Sequence, residues 1–236
     1  MIFRQLFEPE SSTNTYLLGC PESGAALLID PVVETVERDL AVLSELGLRL
    51  EVTLDTHVHA DHVTAAGRLR ALTGCRLAFP AASEVAGADL QVREGEPVRM
   101  GGLELHPLFT PGHTADHHCY HLGRPGAERV FTGDALLIDG CGRTDFQGGD
   151  AATLYAAIHG KIFTLPGETL VYPGHDYQNR HVSSVAQERE RNPRLGGGRT
   201  VGEFVAIMAG LGLPRPKKMD VAVPANRACG GAGERT

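Results

Sequence analysis

The run Thr56-His57-Val58-His59-Ala60-Asp61-His62 sets three imidazoles and a carboxylate side by side in the chain. Such groups are expensive to bury without partners, and they are good ligands for metal ions. The run follows Leu50, Val52 and Leu54, whose alternation reads as a strand, so the histidines fall on the loop beyond its end. A loop lets side chains converge on one point. A regular strand sends them alternately to opposite faces. A metal centre is therefore the chemistry these residues suggest.

Three further candidates share one pattern. His113 follows Leu108-Phe109-Thr110-Pro111-Gly112, Asp134 follows Val130-Phe131-Thr132-Gly133, and His175 follows Thr169-Leu170-Val171-Tyr172-Pro173-Gly174. In each, an apolar strand delivers a potential ligand, and a glycine just before it permits a tight turn or close backbone approach. One histidine at a strand end is an ordinary polar residue. Four such groups, meeting along one sheet edge, are hard to satisfy without a metal. His106, His117, His118, His121, His159 and His181 lack this context and read as strand or surface positions.

The elements that must position these groups can be read in outline. Strands are expected at 2–7, 14–19, 25–30, 50–54, 76–79, 97–100, 103–109, 117–122, 129–132 and 169–172. Helices are expected at 34–46, 63–73, 151–160 with Asp150 as N-cap, 180–190 ending before Asn192-Pro193, and 201–212. This is a β-rich α+β chain without a long linker, expected to form a single domain over 1–236. The tail after Pro214, rich in Lys, Pro, Gly and Ala, is expected to be loosely ordered.

The chain has 236 residues, 42% hydrophobic and 22% charged, as in ordinary globular proteins. Its net charge of −7 argues against a nucleic-acid or acidic-membrane partner. No apolar run approaches the ~20 residues of a membrane helix. The N-terminus lacks the pattern of a secretory signal, so the cytoplasm is the expected location. Cys20, Cys75, Cys119, Cys141 and Cys229 are widely spaced with no Cys-x-x-Cys pair, which fits reduced thiols and excludes a zinc ribbon. Dinucleotide, phosphate-loop and serine-hydrolase motifs are absent from the sequence.

His57-x-His59-x-Asp61-His62 with later His113, Asp134 and His175 resembles the metallo-β-lactamase superfamily over nearly the whole chain. The resemblance implies an αββα sandwich, two mixed β-sheets face to face with helices on both outer faces and the metal at one edge. It leaves the reaction open, because function lives in the site. One branch, glyoxalase II, hydrolyses glutathione thioesters with two metals. Another, the persulfide dioxygenases, oxidises glutathione persulfide with one Fe(II) per chain. All seven candidates would complete a dinuclear site. His57, His113 and Asp134 alone give the two-imidazole, one-carboxylate set of non-haem Fe(II) oxygenases, leaving His59, Asp61, His62 and His175 as a supporting shell or a vacant second site. The segment Gly140-Cys141-Gly142-Arg143-Thr144-Asp145-Phe146-Gln147, with Tyr172-Pro173-Gly174-His175-Asp176-Tyr177, is similar to the persulfide dioxygenase branch. The long C-terminal helical domain of glyoxalase II has no counterpart in this sequence.

That branch implies glutathione persulfide and O2 as substrates, with sulfite and glutathione as products. It implies Arg143, Arg194, Tyr177 and Cys141 as substrate contacts, since glutathione carries two carboxylates that attract cations. The expected assembly is a homodimer, with the persulfide donor enzyme on a separate chain. A non-catalytic metal-binding or redox-sensing module is the alternative of another class.

Overall fold

Short turns and apolar alternation set the order of the elements in a computed structural model that describes residues 1–124 and 126–231. The first sheet comprises β1 (Ile2–Glu8), β2 (Thr13–Cys20), β3 (Ala25–Ile29), β4 (Arg49–Leu54), β5 (Arg76–Pro80) and β6 (Leu90–Val92), in that spatial order. β1, β2 and β3 are antiparallel and joined by turns. From β3 to β6 the strands are parallel. Parallel neighbours need crossovers, and helices α1 (Val36–Glu45) and α2 (Ala66–Thr73) lie in two of them. β2 and β3 are buried along their full length, which is why they run as Tyr16-Leu17-Leu18 and Ala26-Leu27-Leu28-Ile29 rather than alternating with polar residues. Leu43 of α1 and Leu69 of α2 join Leu17, Leu28, Leu50, Leu77 and Phe79 in one core.

The second sheet comprises β7 (Val98–Met100), β8 (Leu103–Phe109), β9 (His118–Leu122), β10 (Arg129–Gly133), β11 (Leu170–Pro173) and β12 (Ser183–Ser184), in the spatial order β12-β11-β10-β9-β8-β7. Its parallel pair is β10 with β11, and α3 (Ala151–Ala157) lies in the crossover. Asp150 caps α3 by accepting from the Thr153 amide, as its position predicts. α4 (Val185–Arg191) and α5 (Val201–Ala209) follow. Val130, Leu136, Leu154, Ile158, Val185, Leu195 and Phe204 share the second core.

The chain forms two compact units. One holds residues Met1–Val92, Val98–Glu104 and the chain from Arg215; the other holds Arg93–Pro97 and Leu105–Pro214.

β6, β12, the start of α4 and the tail differ from the sequence expectation. The helix expected from 180 begins only at Val185, because the Asp176 carboxylate accepts from the amides of Gln178, Arg180 and His181. That turn holds Asn179 and His181 at positive φ, which no helix tolerates. The tail expected to be loose carries a helix, α6 (Met219–Arg227), with Ala222 and Asn226 buried. Residues 232–236 lie outside the described residues.

Candidate metal centre

In the first unit, the ligand-bearing loop begins where parallel strands end. Ile29 pairs with Leu54 across β3 and β4, so the next residues, Asp30 and Asp55, leave adjacent carboxyl ends, the usual place for a site in a parallel sheet. Asp30 accepts from the Thr56 amide at 2.7 Å and from the Thr56 hydroxyl at 2.9 Å. Having given its proton to Asp30, Thr56 Oγ1 can only accept from His57 Nδ1, 2.9 Å away. His57 therefore carries its proton on Nδ1, with Nε2 as the lone-pair nitrogen. A partner that fixes the ligand tautomer in this way is characteristic of metal-bound histidines.

His59 Nε2 lies 3.1 Å from Asp30 Oδ1 and 3.7 Å from Asp55 Oδ1. Burial alone would lower its pKa, but the two carboxylates, Asp30 foremost, push it up to about 9. Burial pushes Asp55 up to about 7 despite the neighbouring His59. His62 Nδ1 lies 3.0 Å from Asp61 Oδ2. His59 Nδ1 and His62 Nε2 are buried and have no hydrogen-bond partner among the described residues. Donor atoms of His59, Asp61 and His62 lie within 4.8 Å of one another. Buried imidazole nitrogens without partners fit a nearby ion, because a polar atom left bare in the interior is costly.

In the second unit, Asp134 and His175 leave the ends of the parallel pair β10 and β11, where Gly133 pairs with Pro173. His175 Nδ1 lies 2.6 Å from Asp134 Oδ1, and His113 Nε2 lies 3.5 Å from Asp134 Oδ2. His113 Nδ1 donates to the Arg143 carbonyl at 2.7 Å, which again leaves Nε2 as the lone-pair nitrogen. Two glycines make this packing possible. A Cβ on Gly174 would stand 2.7 Å from Asp134 Oδ1, and one on Gly142 would stand 2.6 Å from His113 Nδ1. The glycine in Pro-Gly-His and the second glycine of Gly-Cys-Gly-Arg are there to let the ligands in.

The expected substrate contacts separate into different environments. Arg143 is committed within the protein: it binds Asp145 through Nε and Nη2, donates to the carbonyls of Leu213 and Pro214, and lies over the Phe146 ring. A substrate carboxylate would have to displace Asp145 to reach it. Arg194 donates through Nη1 to the Cys141 carbonyl, while its Nε and Nη2 make no hydrogen bond among the described residues. Cys141 is buried against Met208, and burial pushes its thiol up to about 11. Tyr177 is 71% exposed and its ring stacks on His175.

Some supporting residues have no clear mark in the sequence. Asp30 closes the apolar run Leu27-Leu28-Ile29 as Asp134 closes its strand, but without the preceding glycine, so it shares only half of that signal. His117, which takes the Asp134 amide on Nε2 at 3.2 Å, carries no local mark.

The superfamily model named Metallo-beta-lactamase superfamily matches residues 9–175. The mitochondrial persulfide dioxygenase ETHE1 of Homo sapiens is 51% identical over 98% of this chain and 89% of its own length. The chain belongs to the persulfide dioxygenase family of the metallo-β-lactamase superfamily. A solved persulfide dioxygenase relative, ETHE1 from Myxococcus xanthus, is 55% identical and superposes with a TM-score of 0.93 over 98% of this chain and 100% of that one. The fold is thus the expected one, two mixed β-sheets with helices. A hydroxyacylglutathione hydrolase of Polaromonas is less similar, 38% identical over 80% of this chain and 72% of its own. The persulfide dioxygenase family is the branch indicated by the segment after Asp134, and membership in it makes this chain an enzyme rather than a quiet metal-binding module.

Proposed function

We propose that this enzyme oxidises glutathione persulfide at a single Fe(II) held by His57, His113 and Asp134. The overall reaction is GSSH + O2 + H2O → GSH + SO3²⁻ + 2H⁺, in which the terminal sulfur gains oxygen and the S–S bond breaks. The observation that carries the reading is the matched tautomers: Nδ1 of His57 and of His113 each donate to a protein oxygen, presenting Nε2. Two imidazoles and one carboxylate are the donor set of non-haem Fe(II) oxygenases, and the ion so held would supply the one-electron chemistry that joins sulfur to O2.

The residues around it have distinct tasks. Asp30, acting through Thr56, sets the tautomer of His57, and His175 fixes the carboxylate of Asp134. Arg194, through Nε and Nη2, would take a glutathione carboxylate. Tyr177, beside His175, would border the substrate. Arg143 holds the loop that carries the His113 acceptor. Cys141 contributes core packing and its carbonyl, which orients Arg194.

The donors of His59, Asp61 and His62 favour a second reading, a dinuclear thioester hydrolase, since they would accept another ion. Product analysis separates the two. Sulfite should form in step with O2 uptake when glutathione persulfide is supplied, with negligible cleavage of glutathione thioesters. Thioester cleavage without O2 uptake would contradict the dioxygenase reading.

We place the enzyme in the cytoplasm as a homodimer supplied by a persulfide donor enzyme on a separate chain. No helix among the described residues is long and apolar enough to cross a membrane.

A further inference from the structure

Asn226 in α6 is 1% exposed. Its Nδ2 donates to the carbonyls of His59 at 2.9 Å and His62 at 2.8 Å, and its Oδ1 accepts from the Thr64 amide at 2.8 Å. An amide side chain has two N–H donors on one atom and an acceptor on the other. Here each meets a group of the complementary kind, so only one orientation of the amide satisfies the set. The three backbone groups belong to the histidine loop, more than 160 positions earlier in the chain. An irregular buried loop has no ladder to pair its backbone, so partners must come from elsewhere. The segment beside Asn226 also touches the start of α2: the Gly67 amide donates to the Cys229 carbonyl at 2.8 Å.

We infer that Asn226 is a positioning residue for the metal centre, fixing the path of the loop from His57 to His62 without touching ion or substrate. This rests on the proposal that His57 holds iron. The two carbonyls it grips bracket Ala60 and Asp61, and they belong to His59 and His62, each of which has one buried ring nitrogen without a hydrogen-bond partner among the described residues. Loss of the grip lets the loop adopt other curvatures, and the His57 imidazole then meets the ion in a smaller fraction of conformers. Affinity for the ion falls by that fraction. A role confined to folding would lower the melting temperature and leave the affinity of the folded chain unchanged.

The substitution Asn226→Asp tests this, because it keeps shape and the acceptor toward Thr64 but turns both donors into an acceptor facing two carbonyls. Fe(II) affinity is measured anaerobically on the full chain by competition with a chelator, with circular dichroism confirming the fold. The expected result is affinity weaker by about 10–100-fold, the range typical of groups supporting metal ligands, with an unchanged KM for glutathione persulfide at saturating iron. Unchanged affinity in folded Asn226→Asp overturns the inference. His57→Ala is measured alongside. If His57→Ala binds Fe(II) like the wild type, the iron-site proposal itself fails. If His57→Ala loses iron while Asn226→Asp keeps it, only the role of Asn226 fails. The wild-type chain supplies a second measurement should Asn226→Asp not fold. Linkage requires that Fe(II) strengthen the grip that strengthens its binding, so the Thr64 amide should exchange hydrogen more slowly with iron bound. Equal exchange with and without iron overturns the inference.

Discussion

Nδ1 of His175 lies 2.6 Å from Oδ1 of Asp134. The imidazole therefore occupies one carboxylate oxygen and leaves Oδ2 on the side of His113. In the proposed site this carboxylate would serve the ion, with the histidine supporting it rather than competing with it. Asp134→Ala should lose iron and activity together. His175→Ala should weaken iron binding by about 10–100-fold while retaining turnover at saturating iron. Metal analysis with O2-uptake assays checks both; iron and full turnover retained in Asp134→Ala would show that the ligand set is wrong.

The chain from Asp30 through Thr56 to His57 makes a second prediction. Thr56→Val removes the hydroxyl that donates to Asp30 and accepts from His57. It leaves a buried carboxylate short of a donor and a buried imidazole N–H without its acceptor, at about 1–3 kcal/mol for each unsatisfied group. Urea unfolding should show a lower midpoint with an unchanged slope, and iron binding should weaken in parallel. Wild-type stability and affinity in Thr56→Val would remove Thr56 from the account.

The two arginines should respond differently. Arg194→Ala should raise KM for glutathione persulfide with little change in kcat, as expected for an interaction equal in ground and transition states. Arg143→Ala should instead lower the melting temperature, because its guanidinium ties Asp145 to the carbonyls of Leu213 and Pro214. Steady-state kinetics and thermal melts of both variants decide. An unchanged KM in Arg194→Ala would leave it only the Cys141 carbonyl to hold.

The thiol of Cys141 should be inert in the folded protein. With its pKa pushed up to about 11 by burial, roughly one molecule in a thousand carries a thiolate near pH 8. Iodoacetamide should label Cys141 only after denaturation. Fast labelling of the native chain, followed by mass spectrometry, would restore a reactive role.

Much of this site is legible in the sequence because its ligands follow short apolar strands, and because glycines mark where backbone and ligand come close. Gly142 and Gly174 carry that signal, and contact with His113 and Asp134 explains it. What the sequence hides is contact at a distance. Asn226 sits in a tail whose composition suggests looseness, and its three partners lie in a loop far earlier in the chain. Arg143 looks like an anion contact until its carbonyl partners, some 70 residues onward, are seen. β12 is two residues long, too short for alternation to register. The late start of α4 is dictated by one carboxylate, that of Asp176, closing a turn that helical spacing alone does not reveal.

The central claim, one Fe(II) per chain driving persulfide oxidation, is tested most directly by loading the metal-free protein with increasing Fe(II). O2 consumption with glutathione persulfide should be followed at each ratio. Uptake should rise linearly and level off at one iron per chain, and Zn(II) in place of iron should support none. A plateau at two metals per chain, or equal turnover with zinc, would contradict that claim.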